Sequence, residues 1–132
     1  MISFRSPLVV LALCGPAVSL HAADFDGSKP FLCALIEAHD CAPGLACTKG
    51  PAEDLRLPTF IRLDVQARTF SARGRTSPIR QMQRNDGQLV FQGNENGRAF
   101  SVTVAEASGK LVGAVAGDGE AFVVFGACTL VP

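Results

Sequence analysis

Residues 121–128 read Ala-Phe-Val-Val-Phe-Gly-Ala-Cys. Successive side chains of a strand point to opposite faces. Ala121, Val123, Phe125 and Ala127 therefore share one face, and Phe122, Val124 and Cys128 the other. Both faces are apolar, which predicts a strand shielded from water on either side. Upstream, Ile61, Leu63 and Val65, then Phe100, Val102 and Val104, alternate with their neighbours as half-buried strands do. Turn signals recur at Asn85-Asp86-Gly87, Asn94-Glu95-Asn96-Gly97, Ala107-Ser108-Gly109 and Gly117-Asp118-Gly119. The steps from Asp86 to Asn96, to Ser108 and to Asp118 are ten, twelve and ten residues, a spacing that predicts an antiparallel meander of short strands. Seven strands are expected, near 58–65, 68–73, 78–84, 88–93, 98–105, 110–116 and 121–128. A twisted meander of this length curls into a partly closed barrel.

The segment before the meander reads differently. Ser28 can cap a helix whose first turn tolerates Pro30, and Phe31, Leu32, Leu35 and Ile36 form one apolar stripe. Pro43-Gly44 ends this helix, and residues 48–57 are polar and turn-rich, with Gly50-Pro51 as a breaker. The helix is the amphipathic candidate to cover the second apolar face of 121–128. The expected fold class is mainly β (α+β): about seven antiparallel strands in a partly closed barrel, covered by one N-terminal helix.

The first 22 residues read as a signal peptide. Arg5 supplies a positive start, residues 7–20 are apolar, and Leu20-His21-Ala22-Ala23 offers small residues for cleavage after Ala22 or Ala23. A membrane anchor needs about 20 apolar residues, whereas this run has fourteen and is interrupted by Gly15-Pro16. Cys14 follows Leu13, where lipidation needs a small residue, and the apolar run continues past it. Residues 23–132 are then one domain. Removing the leader takes Cys14 and leaves Cys33, Cys41, Cys47 and Cys128, an even set that predicts two disulfides in a periplasmic or secreted protein.

If the helix reaches Asp40, Cys33 and Cys41 lie about 12 Å apart along it, beyond the roughly 7 Å that a disulfide spans. Of the two pairings left, Cys41–Cys47, clipping the Pro43-Gly44 turn, with Cys33–Cys128, fastening helix to last strand, is favoured. The run Asp24-Phe25-Asp26-Gly27-Ser28-Lys29-Pro30, with Cys33-Ala34 and Phe125-Gly126-Ala127-Cys128-Thr129, resembles a group of small exported bacterial proteins of uncharacterised function. The resemblance spans nearly the whole mature chain. It implies a periplasmic or secreted location and brings no catalytic residues.

The candidate chemistry is sparse. His39 is the one histidine beyond the leader; it can be a base or ligand, or a helix-end cation facing carbonyls. The cysteine spacings of eight, six and eighty-one residues contain no zinc-ribbon pair. Asp24-Phe25-Asp26-Gly27 opens like a calcium loop, but Leu35 stands where the bidentate Glu belongs, so a frayed terminus leading to the Ser28 cap is expected. No Gly-x-Ser-x-Gly elbow is present. No cofactor, metal or catalytic residue is assigned.

Charge is uneven along the chain. Residues 57–98 carry seven arginines against three acids, and residues 24–56 six acids against three bases. Arg73, Arg75, Arg80 and Arg84 are the candidate contacts for an anion or an acidic partner; a solvated edge strand explains the same residues. Mature charge is near zero, with eleven Lys plus Arg against twelve acids, which argues against nucleic-acid binding. The expected function is a non-catalytic binding module for a small ligand or another envelope protein, with no stable membrane insertion after cleavage. The alternatives are an envelope structural or accessory protein acting through surface contacts, and an enzyme with an unrecognised carboxylate pair.

Overall fold

The structure, a computed structural model, describes residues 24–132; the leader, its cleavage and Cys14 lie outside them. Among the described residues there are nine strands and no helix: β1 Phe31–Cys41, β2 Thr48–Gly50, β3 Phe60–Asp64, β4 Thr69–Ala72, β5 Arg75–Asn85, β6 Gln88–Glu95, β7 Arg98–Ala105, β8 Lys110–Gly117 and β9 Glu120–Leu130. Eight of them form an antiparallel barrel in the order β1-β3-β4-β5-β6-β7-β8-β9, which closes where β9 returns to β1. β2 is an extra strand on the far half of β1, where Ala38, His39 and Asp40 face Gly50, Lys49 and Thr48.

The expected helix is therefore a strand, and its sequence shows why. Phe31, Cys33 and Leu35 alternate inward, until a bulge between Leu35 and Glu37 advances the alternation and Ala38 takes the next interior place. Read through that bulge, the residues at 31, 32, 35 and 36 imitate a helical stripe. Sheet closure outweighs the local preference: β1 pairs with β3 over 31–34 and with β9 over ten residue pairs, satisfying two sheet edges that would otherwise stay open. The barrel is thus closed, not partly closed, and no described helix covers its outside.

The disulfides are Cys33–Cys128 and Cys41–Cys47. Cys33 and Cys128 are directly opposed across the β1–β9 seam, so the long bridge staples the closure itself. Cys33–Cys41 is excluded more firmly than by a helix, because eight strand residues span about 26 Å.

Four hairpins turn on two residues: Arg73-Gly74, Asp86-Gly87, Asn96-Gly97 and Asp118-Gly119. Both residues of each have φ between 47° and 78°, the type I′ geometry that matches strand twist. Three of these turns are legible as Asp-Gly or Asn-Gly. Arg73-Gly74 is not, and it starts β5 at Arg75, three residues before its expected position.

One end of the barrel is filled and plugged. Phe31, Leu63, Phe91, Val104 and Leu111 are fully buried there, with Phe31 edge-on to Phe91 at 6.5 Å. The N-terminal segment is no frayed tail and Ser28 caps no helix. Phe25 packs edge-on to Phe31 at 5.6 Å and its N–H donates to the Glu106 carbonyl. Asp26 accepts from the Ser28 N–H at 2.8 Å, and the Ser28 hydroxyl and N–H together hold its carboxyl below the usual range. Arg84 ties the plug down, with Nε 2.7 Å from Glu106 Oε1 and Nη2 donating to the Asp26 carbonyl.

Candidate functional site

The other end is open. A cavity of about 630 Å³ descends between the β4–β5, β6–β7 and β8–β9 turns into the barrel. Ile61, Phe70, Phe100, Val102, Val115 and Val124 line its wall, each placed inward by strand alternation. Phe70 and Phe100 stack at 4.8 Å between centroids. Among the described residues the one buried charged or polar side chain is Glu106, in the plugged end. The wall of the cavity is hydrocarbon.

Its rim is ionic. The same alternation that sends Ala72, Phe100 and Phe122 inward puts Arg75, Arg98 and Glu120 on inward positions just beyond the wall. Arg98 Nη2 donates to Glu120 at 2.6 Å, its Nε lies 3.3 Å from Asp118, and its guanidinium sits 5.6 Å over the Phe122 ring. Gly117 leaves the room: a Cβ there would lie 2.8 Å from Arg98 Cγ. Glu95 accepts from the Ser77 hydroxyl at 3.0 Å.

The loop between β2 and β3 roofs part of the mouth, burying Ala52 and Leu57. Arg73 Nη2 donates to the Leu57 carbonyl at 2.7 Å and pins that loop. Arg56, on this loop, also lines the cavity and has a left-handed backbone, φ 61°.

Of the four arginines expected as anion or partner contacts, Arg73 and Arg75 reach this rim. Arg80 is exposed at a bulge between Ile79 and Gln81, which takes it off the face that Met82 and Arg84 share. Arg84 serves the opposite end. Arg56 and Arg98 were missed. Arg98 was legible as the residue after Asn-Gly, hence at a hairpin tip; Arg56 sits in a loop with no periodic signal.

His39 is not at a helix end. It lies on β1, edge-on to Phe125 at 6.0 Å, with Nε2 3.1 Å from Glu37. Lys49 of β2 reaches the other Glu37 oxygen at 2.8 Å, and these two partners hold the Glu37 carboxyl below its ordinary value. Among the described residues no group of three or more His, Cys, Asp or Glu side chains is arranged to hold a metal ion.

The outside of the β8–β9–β1–β3 wall is apolar and open. Val112, Phe125, Phe60 and Ile36 are 48, 41, 56 and 64% exposed. The outer face of β9, expected to be covered by a helix, instead meets solvent.

Comparison of the chain with models of known protein families, with curated proteins and with solved structures finds no match.

Proposed function

We propose that this protein is an exported, non-catalytic binding module that holds a small, mainly apolar ligand inside its barrel. The cavity carries the reading: about 630 Å³, apolar along its wall and ionic at its rim, open at one end and closed at the other. Small-molecule sites occupy roughly 300–1,000 Å³, and an eight-stranded barrel has room for one such ligand. The fold type alone is weak warrant; the apolar wall and the arginine rim support the reading.

Other features fit. Two disulfides suit an oxidising compartment, periplasmic or secreted. The carboxylates at the mouth are already engaged, Glu95 by Ser77 and Asp118 by Arg98, and the imidazole of His39 lies on β1 against Glu37 and Phe125. That arrangement favours binding over catalysis and calls for no cofactor. No helix of the described residues is long and apolar enough to cross a membrane. On the β5–β6 side the outer wall exposes Arg80, Gln81, Gln83 and Gln92, where a membrane-spanning barrel carries an apolar band. Near-neutral charge argues against nucleic acid as a partner.

The test is titration with Nile red, a neutral apolar dye, followed by native mass spectrometry of protein purified from its own host. Val115→Phe and Ala72→Phe, both on the cavity wall, are expected to weaken dye binding at least tenfold while the protein stays folded. Unchanged binding in both folded variants would refute the reading.

A second reading, an accessory protein that works through surface contacts with another exported protein, draws on the open apolar face around Val112 and Phe125. Under it, Val112→Ser and Phe125→Ser abolish partner co-purification and Val115→Phe does not.

A further inference from the structure

We infer that the ligand is an amphipathic anion, with an apolar tail inside the barrel and a carboxylate- or phosphate-type head at the arginine rim. This rests on the cavity being a binding site, and adds to it the class of ligand.

The tail follows from what the wall lacks. Ile61, Phe70, Phe100, Val102, Val115 and Val124 offer no donor or acceptor side chain. A polar group carried into that space would lose its water and find no partner, which costs on the order of 1–3 kcal/mol per group. The body of the ligand is therefore hydrocarbon or aromatic.

The head follows from a charge count at the mouth. Arg56, Arg73, Arg75 and Arg98 stand against Glu95, Asp118 and the Glu120 that pairs with Arg98, an excess of one positive charge (four minus three). Arg98 is more than balanced by its two carboxylate partners, Asp118 and Glu120. Among the described residues, Arg56, Arg73 and Arg75 make no ion pair, and Arg73 spends one donor on the Leu57 carbonyl. Glu95 is the one acid left facing the three, and its carboxylate is hydrogen-bonded by Ser77.

Three guanidinium groups with unused planar donors, set over a low-dielectric apolar shaft, form a site for a planar or tetrahedral oxyanion. A cationic head would meet the same excess as repulsion. A neutral head would leave the excess unused.

The experiment is calorimetric titration of the wild-type protein with dodecanoate, dodecyl phosphate, dodecanol and dodecyltrimethylammonium at low and high salt, and with the shorter decanoate and octanoate. Affinity is expected to rise about fourfold per methylene until the cavity is full. At low salt at least one of the two anions binds about tenfold tighter than dodecanol, an exposed charge-assisted contact being worth roughly that much; the tighter one names the head. High salt shrinks the advantage. The Arg56→Gln, Arg75→Gln double variant removes the advantage, read as the ratio of anion to dodecanol affinity within that variant; both residues are exposed, and the salt series on the wild type needs no variant.

If dodecanol equals or exceeds both anions, or the ammonium compound binds tightest, the head-group inference falls while the cavity reading stands. If none of the compounds binds, the cavity reading itself fails.

Discussion

Replacing Cys33 and Cys128 by alanine opens the covalent staple across the β1–β9 seam and leaves its ten backbone pairings in place. The folded barrel therefore changes little, and the effect falls mainly on the unfolded chain. The bridge spans 95 residues. In the loop-entropy model, closing a loop of that length is worth about 4.7 kcal/mol, and the Cys41–Cys47 loop roughly 2. The described chain, residues 24–132, unfolds with about 0.23 kcal/mol/K of entropy at ~2.1 cal/mol/K per residue. The losses then translate into drops of about 20 °C for Cys33→Ala with Cys128→Ala and about 9 °C for Cys41→Ala with Cys47→Ala. Against a total stability of roughly 5–15 kcal/mol, the first variant is marginal and the second comfortable. Thermal and urea unfolding of both double variants, checked for reversibility, measures the two losses. The urea slope should also steepen for the long-bridge variant, because its unfolded state is less compact. Equal losses, or a larger loss at Cys41–Cys47, would mean that loop length does not set the worth of these bridges.

Three further outcomes are expected. Gly126→Ala places a Cβ against the Ala34 carbonyl oxygen beside the β1 bulge and should cost about 2–3 kcal/mol in urea denaturation, in the range of overpacking a tight site. Phe25→Ala removes the half-buried plug against Phe31; a loss of about 2 kcal/mol is expected, with Nile red binding at the opposite end unchanged. Glu37, held below its ordinary 4.5 by Lys49 and His39, contributes stability that is complete above that value and drains as pH falls through the lowered one. The thermal advantage of wild type over Glu37→Gln should therefore be present at neutral pH and vanish on acidification through the carboxylate range.

The meander was legible because its signals are local. Alternation at 61–65 and 100–104 and the Asp-Gly and Asn-Gly pairs locate strands and turns without any long-range knowledge, and all seven expected strands exist within a few residues of their expected bounds. β1 was not legible. Its residues Leu32, Ala34, Leu35, Glu37 and Ala38 are good helix formers, and the bulge at Ile36 destroys the one pattern that would have argued for a strand. What makes it a strand is pairing with β9, some ninety residues away, a contact that no local window contains. The disulfide pairing was reached although one premise was wrong: a clip at Pro43-Gly44 and a fastening to the last strand hold for a strand as they do for a helix.

The mouth was half legible. The arginine excess between 57 and 98 was visible, but which of those residues meet depends on hairpin register. The Arg73-Gly74 turn brings Arg73 and Arg75 to the rim, and the bulge beside Ile79 removes Arg80 from it. The apolar outer face of β9 was correctly read as apolar on both sides. The inference that something must cover it came from treating burial as obligatory, whereas folded surfaces carry much apolar area.

Methyl-resolved NMR with one equivalent of Nile red shows whether a ligand enters the barrel. Shifts are expected at Val102, Val115 and Val124 on the cavity wall, with Leu63 and Leu111 in the packed end and Val112 and Val123 on the outer face unmoved. Perturbation confined to Val112 and Val123, or no perturbation of the three inward valines at saturation, would contradict binding inside the barrel.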